Sequence, residues 1–177
     1  MRKVILFIAT SLDGYIADEK GSVDWLIQQD PEIEENTQYL NFINDIDTII
    51  MGYTTYHQVV TELSPQNWLY EKMMTYVYTH KKLKSKYNIQ FTNQDLKELI
   101  TDLKNKEGKD IWVCGGANLI NQLIELNLID QYYITMIPIL LGKGIRLFDK
   151  QDNQTKLELM KTEIFHGMVD LVYRRIQ

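Results

Sequence analysis

The sequence predicts an α/β fold in which a mostly parallel central sheet ends in an antiparallel edge. Three observations predict it. Short apolar runs at residues 4–9, 48–51, 75–79 and 111–114 alternate with segments whose apolar residues recur at helical spacing. The last third of the chain changes character and carries strand patterns alone, at 132–137, 157–159 and 168–174. Three of the strand ends, Gly52-Tyr53-Thr54-Thr55, Thr79-His80-Lys81-Lys82 and Gly115-Gly116-Ala117, carry glycine or small polar residues. Alternation of strand and helix, then a run of strands, is the pattern of a parallel sheet with an antiparallel edge. Ligands of such sheets sit at the carboxyl ends of the strands, so the three loops make one candidate site.

Each element has a local reason. Residues 4–9 contain no polar side chain, as a strand covered on both faces requires. Asp30-Pro31 opens the first helix, with Asp as N-cap and Pro at the first helical position, and its apolar stripe is Ile33, Leu40, Ile43 and Ile46. Residues 48–51 form the second strand, stopped by Gly52, and a short helix starts near Thr54. Residues 75–79 and 89–91 read as the next two strands. Asp95 with Glu98 resembles a capping box ahead of Leu96, Leu99, Ile100 and Leu103, which share one helix face. Beyond Gly115-Gly116, Leu119, Ile120, Leu123 and Ile124 begin an amphipathic helix that closes near Asn127. No repeat, low-complexity tract or linker interrupts this order, so residues 1–177 read as one domain.

The 177 residues carry a formal net charge of −5, with 24% charged and 45% hydrophobic side chains. That composition is globular, and the acidic balance argues against binding driven by nucleic-acid phosphates. No apolar run reaches the length of a bilayer span, so neither nucleic acid nor membrane is an expected partner. Residues 1–9 have the basic start and apolar run of a signal sequence. No small-residue cleavage site follows, and a first strand fits better. The single cysteine, Cys114, excludes an internal disulfide and agrees with a reducing cytoplasm. His57, His80 and His166 are scattered, so no metal is expected.

The sharpest local signal is Ile111-Trp112-Val113-Cys114-Gly115-Gly116-Ala117-Asn118-Leu119. A strand stops at two glycines and a helix begins at once. Glycine lets backbone or ligand approach closely because no Cβ intervenes. The first N–H groups of a helix lack intrahelical partners and carry the positive end of its dipole. Such a start can cradle a phosphate. The plainer reading is a turn that only needs glycine's backbone freedom.

Four segments together resemble the dihydrofolate reductase superfamily, and most closely the branch with the C-terminal reductase domain of the bifunctional riboflavin-biosynthesis enzyme. They are Ala9-Thr10-Ser11-Leu12-Asp13-Gly14-Tyr15-Ile16-Ala17, Ile49-Ile50-Met51-Gly52-Tyr53-Thr54-Thr55-Tyr56, Val113-Cys114-Gly115-Gly116-Ala117, and Pro138-Ile139-Leu140-Leu141-Gly142-Lys143-Gly144 followed by Leu147-Phe148. The resemblance implies a three-layer α/β fold and an NADPH-dependent reductase with its cofactor across the carboxyl edge of the sheet. It implies that the backbone around Ala9 and Ile16 flanks the nicotinamide. Gly52, Tyr53, Thr54 and Thr55 would hold the pyrophosphate together with the helix start at Gly115, Gly116, Ala117, Asn118 and Leu119. Thr79, His80 and Lys81 would meet the adenosine end. The implied substrate is a small nitrogen heterocycle, either the ribosylamino-pyrimidine of riboflavin biosynthesis or a pterin. The branch also points to a homodimer, and residues 132–137 and 168–174 carry apolar side chains at both alternation phases, as if a partner covered them.

Two departures bear on specificity. Many relatives place an arginine straight after the glycine of the second segment, where it grips cofactor phosphate. This chain has Tyr53, so preference for NADPH falls to His80, Lys81 or Lys82. Dihydrofolate reductases also carry a first-helix carboxylate that pairs with the pteridine ring. The matching region here is Glu34-Glu35-Asn36, and with Asn36 in that position folate is a poor substrate. For catalysis the candidates are Asp13, Asp24 and Trp25. Asp13 is either a polar contact at the mouth of the site or the first residue of an Asp-Gly turn. Asp24-Trp25-Leu26 either closes over the nicotinamide or packs a loop onto the core. A carboxyl or a bound water must deliver the proton that accompanies hydride transfer. Cys114 reads as a small buried hydrophobe. The alternative function is a nucleotide-binding protein that keeps the cleft without catalysis. A flavodoxin-like carrier is disfavoured, because Ser11-Leu12-Asp13-Gly14 is not a hydroxyl-rich phosphate loop.

Overall fold

A computed structural model describes residues 1–26 and 37–176. Asp30-Pro31, Ile33 and Glu34-Glu35-Asn36 lie outside the described residues. Strand β1 (Val4–Ser11) outruns its apolar stretch by two residues, and β2 (Tyr15–Ala17) follows a tight turn at Asp13-Gly14. A single helical turn at Asp24–Leu26 precedes the undescribed segment. Helix α1 (Thr37–Asn44) leads into β3 (Ile46–Gly52) and α2 (Tyr53–Gln58), which a π-helical turn over Val59–Leu63 continues. Then come β4 (Met74–Tyr78), β5 (Ile89–Thr92), α3 (Leu96–Asn105), β6 (Asp110–Gly115), α4 (Ala117–Glu125) and β7 (Gln131–Ile137). Two-residue β8 (Ile145–Arg146) and the hairpin of β9 (Leu157–Phe165) and β10 (Met168–Arg175) end the chain.

The main sheet has eight strands in the order β5-β4-β3-β6-β1-β7-β10-β9. Its first six strands are parallel; β10 opposes β7, and β9 opposes β10. β2 and β8 pair in a separate two-stranded sheet. This is the expected mostly parallel sheet with an antiparallel edge. Alternation along the strands builds the three layers. Val4, Leu6, Ile111 and Val113 bury one sheet face against Leu96, Leu99 and Leu103 of α3 and Ile120 and Leu123 of α4. Ile5, Ile49, Met51 and Trp112 bury the other against Phe42 of α1 and Tyr56 of α2. Each such side chain stabilises the fold by about 1.5–3 kcal/mol relative to exposure. The Asp95 cap forms as expected, its carboxylate accepting from the Lys97 and Glu98 amides at 2.9 and 3.1 Å.

Three details differ from the sequence reading. Ile46 does not belong to the α1 stripe. The helix stops at Asn44, the Asp45 amide bonds back to the Phe42 carbonyl at 3.0 Å, and Ile46 opens β3. Phe42 is the buried anchor of α1, while Leu40 stays exposed. β9 runs nine residues rather than three, its charged and polar side chains having hidden the strand. Finally, on β7 and β10 the chain itself buries Tyr132, Ile134, Ile137, Met168 and Val172, while Tyr133, Met136, Val169, Leu171 and Tyr173 are half-buried. The bare apolar surface lies on β9, at Leu157, Leu159, Met160 and Ile164.

Candidate active site

Neighbouring strands β3 and β6 end in Gly52 and Gly115, and a helix begins directly beyond each. Gly52 and Gly116 occupy the cap positions, so no side chain satisfies the first amides of α2 or α4. The two turns touch. A Cβ on Gly52 would stand 3.6 Å from the Gly116 nitrogen, and one on Gly116 would stand 3.2 Å from Thr55 Oγ1. Gly115 has φ +134°, a conformation that favours glycine, whereas Gly116 at −85° has ordinary backbone. Closeness is therefore what Gly116 supplies. The Gly115–Gly116 peptide is cis. Thr54 and Asn118 are exposed, and Thr55 and Ala117 half-buried. Leu119 buries its side chain in the core, so only its backbone remains for the edge.

The loop after β4 joins this edge from the side. The Thr79 amide donates to the Thr92 carbonyl, and Thr79 Oγ1 accepts from the Lys81 amide at 3.1 Å. That turn carries Lys81 Nζ over the Tyr53 ring, 3.9 Å from its centroid. Tyr53 stands at the first turn of α2 and is a platform for a cation from another loop. His80 and Lys82 are exposed, with His80 edge-on to Tyr78.

On the far side of β1, Asp13 is held by three donors. Its Oδ1 accepts from Ser11 Oγ at 2.6 Å and the Leu141 amide at 3.1 Å, and its Oδ2 from the Gly142 amide at 2.7 Å. The Ser11 hydroxyl above all, helped by the Gly142 and Leu141 amides, holds this carboxyl below its ordinary value of 3.8 against burial, which outweighs either amide alone. Both readings of Asp13 thus meet in one residue, since Gly14 follows with φ +85°. An ionised carboxylate with three donors has no proton to give at neutral pH, and it ties the β1–β2 turn to residues 139–142. The Leu12 amide, donating to the Ile139 carbonyl at 2.9 Å, reinforces the tie.

Trp25 packs against Ile137 and Met168 with Ala9 beside it, so it closes a loop onto the core next to the β1 end. It is buried, and its indole N–H has no partner among the described residues. Asp24 is exposed. Ile16 packs instead against the core layer of α3 and α4. No group of three or more metal-binding side chains occurs among the described residues.

Residues 2–171 match the RibD C-terminal domain family. The chain belongs to that family. It is 39% identical to the uncharacterized protein YwjB of Bacillus subtilis across 98% of both chains. A Shewanella sp. PV-4 protein described as a "putative riboflavin biosynthesis protein" has the same fold at a TM-score of 0.87 and 29% identity, over 99% of each chain. A Thermotoga maritima protein described as a diaminohydroxyphosphoribosylaminopyrimidine deaminase and 5-amino-6-(5-phosphoribosylamino)uracil reductase superposes at 0.73, with 15% identity, over 99% of this chain and 57% of its own. Dihydrofolate reductase from Enterococcus faecalis, solved with NADP(H), superposes at 0.67 with 17% identity, over 99% of this chain and 97% of its own. The fold is that of dihydrofolate reductase.

Sequence reasoning missed two features of the site. The Lys81–Tyr53 contact joins residues of separate loops, and no local pattern announces it. The Asp13 tie to Leu141 and Gly142 spans well over a hundred residues.

Proposed function

We propose that this chain is an NADPH-dependent reductase that delivers hydride to a small nitrogen heterocycle, the ribosylamino-pyrimidine of riboflavin biosynthesis. The observation that carries the reading is the meeting of two uncapped helix starts, at Gly52 and Gly116, on adjacent strand ends. Free helix amides and the dipole behind them favour a bridging pyrophosphate. Membership of the RibD C-terminal domain family supports a reductase, and the NADP(H) complex of the Enterococcus faecalis enzyme supports the cofactor. No helix among the described residues is long and apolar enough to cross a membrane. The lone Cys114 fits a cytoplasmic setting.

In this reading Gly52, Tyr53, Thr54 and Thr55 hold the pyrophosphate with the backbone of residues 115–119. Thr79, His80 and Lys81 take the adenosine end. The backbone around Ala9 and Ile16 borders the nicotinamide. The bound cofactor supplies the hydride; the protein positions the reactants and keeps water out. Asp13 acts as a latch that fixes the β1 end and not as the proton donor. Water delivers the proton.

Gly116→Val tests the reading. The added methyls press on Thr55 and fill the space above the helix start. NADPH binding is expected to vanish while far-UV circular dichroism keeps its folded signature. Undiminished NADPH affinity in the folded variant would overturn the cofactor site.

A further inference from the structure

Positive charge is unevenly placed in this acidic chain. Residues 72–94 hold five lysines and no carboxylate, while the chain as a whole carries a net charge of −5. Four of those lysines, Lys81, Lys82, Lys84 and Lys86, fall in the loop that leaves β4 and returns to β5. Every residue from His80 to Tyr87 is exposed. Among the described residues no ion pair neutralises any of the four lysines.

Both ends of the row are drawn to the same helix. Lys81 Nζ lies over the Tyr53 ring, and Lys86 Nζ donates to the Tyr56 hydroxyl at 3.4 Å. Those two rings are only 6.2 Å apart on α2, which carries no acidic residue of its own. The lysines are thus gathered beside the strand end at Gly52. Fold stability gives no reason for this, because neighbouring like charges repel and exposed lysines bury nothing. A local positive field on a molecule of negative net charge does have a use. It raises the concentration of an anion at one place and speeds encounter there, by about 10- to 1000-fold in strongly focused cases.

We propose that Lys82, Lys84 and Lys86 act with Lys81 as an electrostatic guide, which captures a phosphate-rich dinucleotide from solution and passes it to the Gly52 edge. The proposal rests on the reductase reading, which supplies the dinucleotide. It assigns Lys84 and Lys86 to the rate of arrival and not to contacts in the bound state. Charges at the rim of a site change the association rate and its salt dependence, and leave dissociation nearly untouched. Stopped-flow mixing of NADPH with the full chain separates the two rates. Tryptophan emission follows binding, since Trp68 meets Tyr56 with ring centroids 5.7 Å apart.

The double variant Lys84→Glu with Lys86→Glu is expected to slow NADPH association about 10-fold at low salt, with dissociation changed less than about 2-fold. The milder Lys84→Gln with Lys86→Gln should slow it about 3-fold. Both differences should close near 1 M salt, where the screening length is about 3 Å. Lys3→Glu with Lys156→Glu makes the same change of net charge at two exposed residues ahead of β1 and β9, and should leave the rate nearly unchanged. Equal slowing in that control would overturn the guide, because net charge alone would then set the rate. Salt-independent association in the wild type would also overturn it, as would faster dissociation with unchanged association in the loop variants. In each of those cases the chain still binds NADPH and the reductase reading stands. A wild-type chain that fails to bind NADPH at all would remove that reading and the guide with it.

Discussion

A single lysine carries the cofactor-preference argument at the residue scale. Lys81 lies over the Tyr53 ring, where attraction to the ring face holds its ammonium beside the first turn of α2. NADPH differs from NADH by one ribose phosphate, so discrimination needs a cation at that group. Lys81→Ala is expected to weaken NADPH binding by about 1.5–3 kcal/mol, as for a hydrogen bond to a charged group, and to leave NADH nearly unchanged. The difference should shrink at high salt, where exposed contacts are screened. Isothermal titration with both cofactors checks it, and equal losses for the two would mean that Lys81 supports the shared part of the site. The glycines, Thr55 and Lys81 were visible in the sequence because they follow strand ends, where chain order alone fixes their place. The grip of Lys81 on Tyr53 was not visible. Nothing in either segment encodes which loop lies over the other.

At the scale of elements, long apolar runs and caps were legible and charged or very short ones were not. The α3 face and the strand into Gly115 follow from periodicity, since Leu96, Leu99, Ile100 and Leu103 are all buried as their spacing requires. β2 and β8 are three and two residues long, too short to show a period. Arg2 was also illegible, reading only as a basic start. It is buried and is the clamp at the amino edge of the sheet. Its guanidinium pairs with Asp47 and donates to Thr48 Oγ1 at 2.6 Å and to the Leu103 carbonyl at 3.2 Å. One side chain thereby joins the chain ahead of β1 to β3 and to the last turns of α3. Arg2→Ala removes the donor to Thr48 Oγ1 and the Leu103 carbonyl and the cation beside Asp47, which keeps the Thr48 hydroxyl and the Lys109 amide as donors, and is expected to lower unfolding free energy by about 3 kcal/mol, the lower end for breaking a buried pair because Asp47 is partly solvated. Urea denaturation measures it. A loss well under 1 kcal/mol would mean that water replaces the guanidinium freely.

For the whole molecule the open question is what covers β9. It is an outer strand of the main sheet, nine residues long, with one edge unpaired among the described residues and with Leu159, Met160 and Ile164 exposed. Edges of that kind invite pairing with another chain, and exposed apolar patches mark interaction surfaces. A two-fold dimer must present the same patch from both copies. Antiparallel pairing of β9 with its own copy, centred on Thr162, sets Met160 opposite Ile164 and Lys161 opposite Glu163, each twice. Opposite charges and apolar pairs across strands both stabilise a sheet, so the strand is complementary to itself in that register. The homodimer suggested by family resemblance thus has a physical route through β9. Multi-angle light scattering is expected to give a dimer mass for the wild type. Ile164→Lys places two new cations beside the axis and should yield a folded monomer that still binds NADPH, since β9 lies at the opposite end of the strand order from β3. A wild-type monomer at every concentration would remove the dimer. An Ile164→Lys protein that remains dimeric would move its interface away from β9.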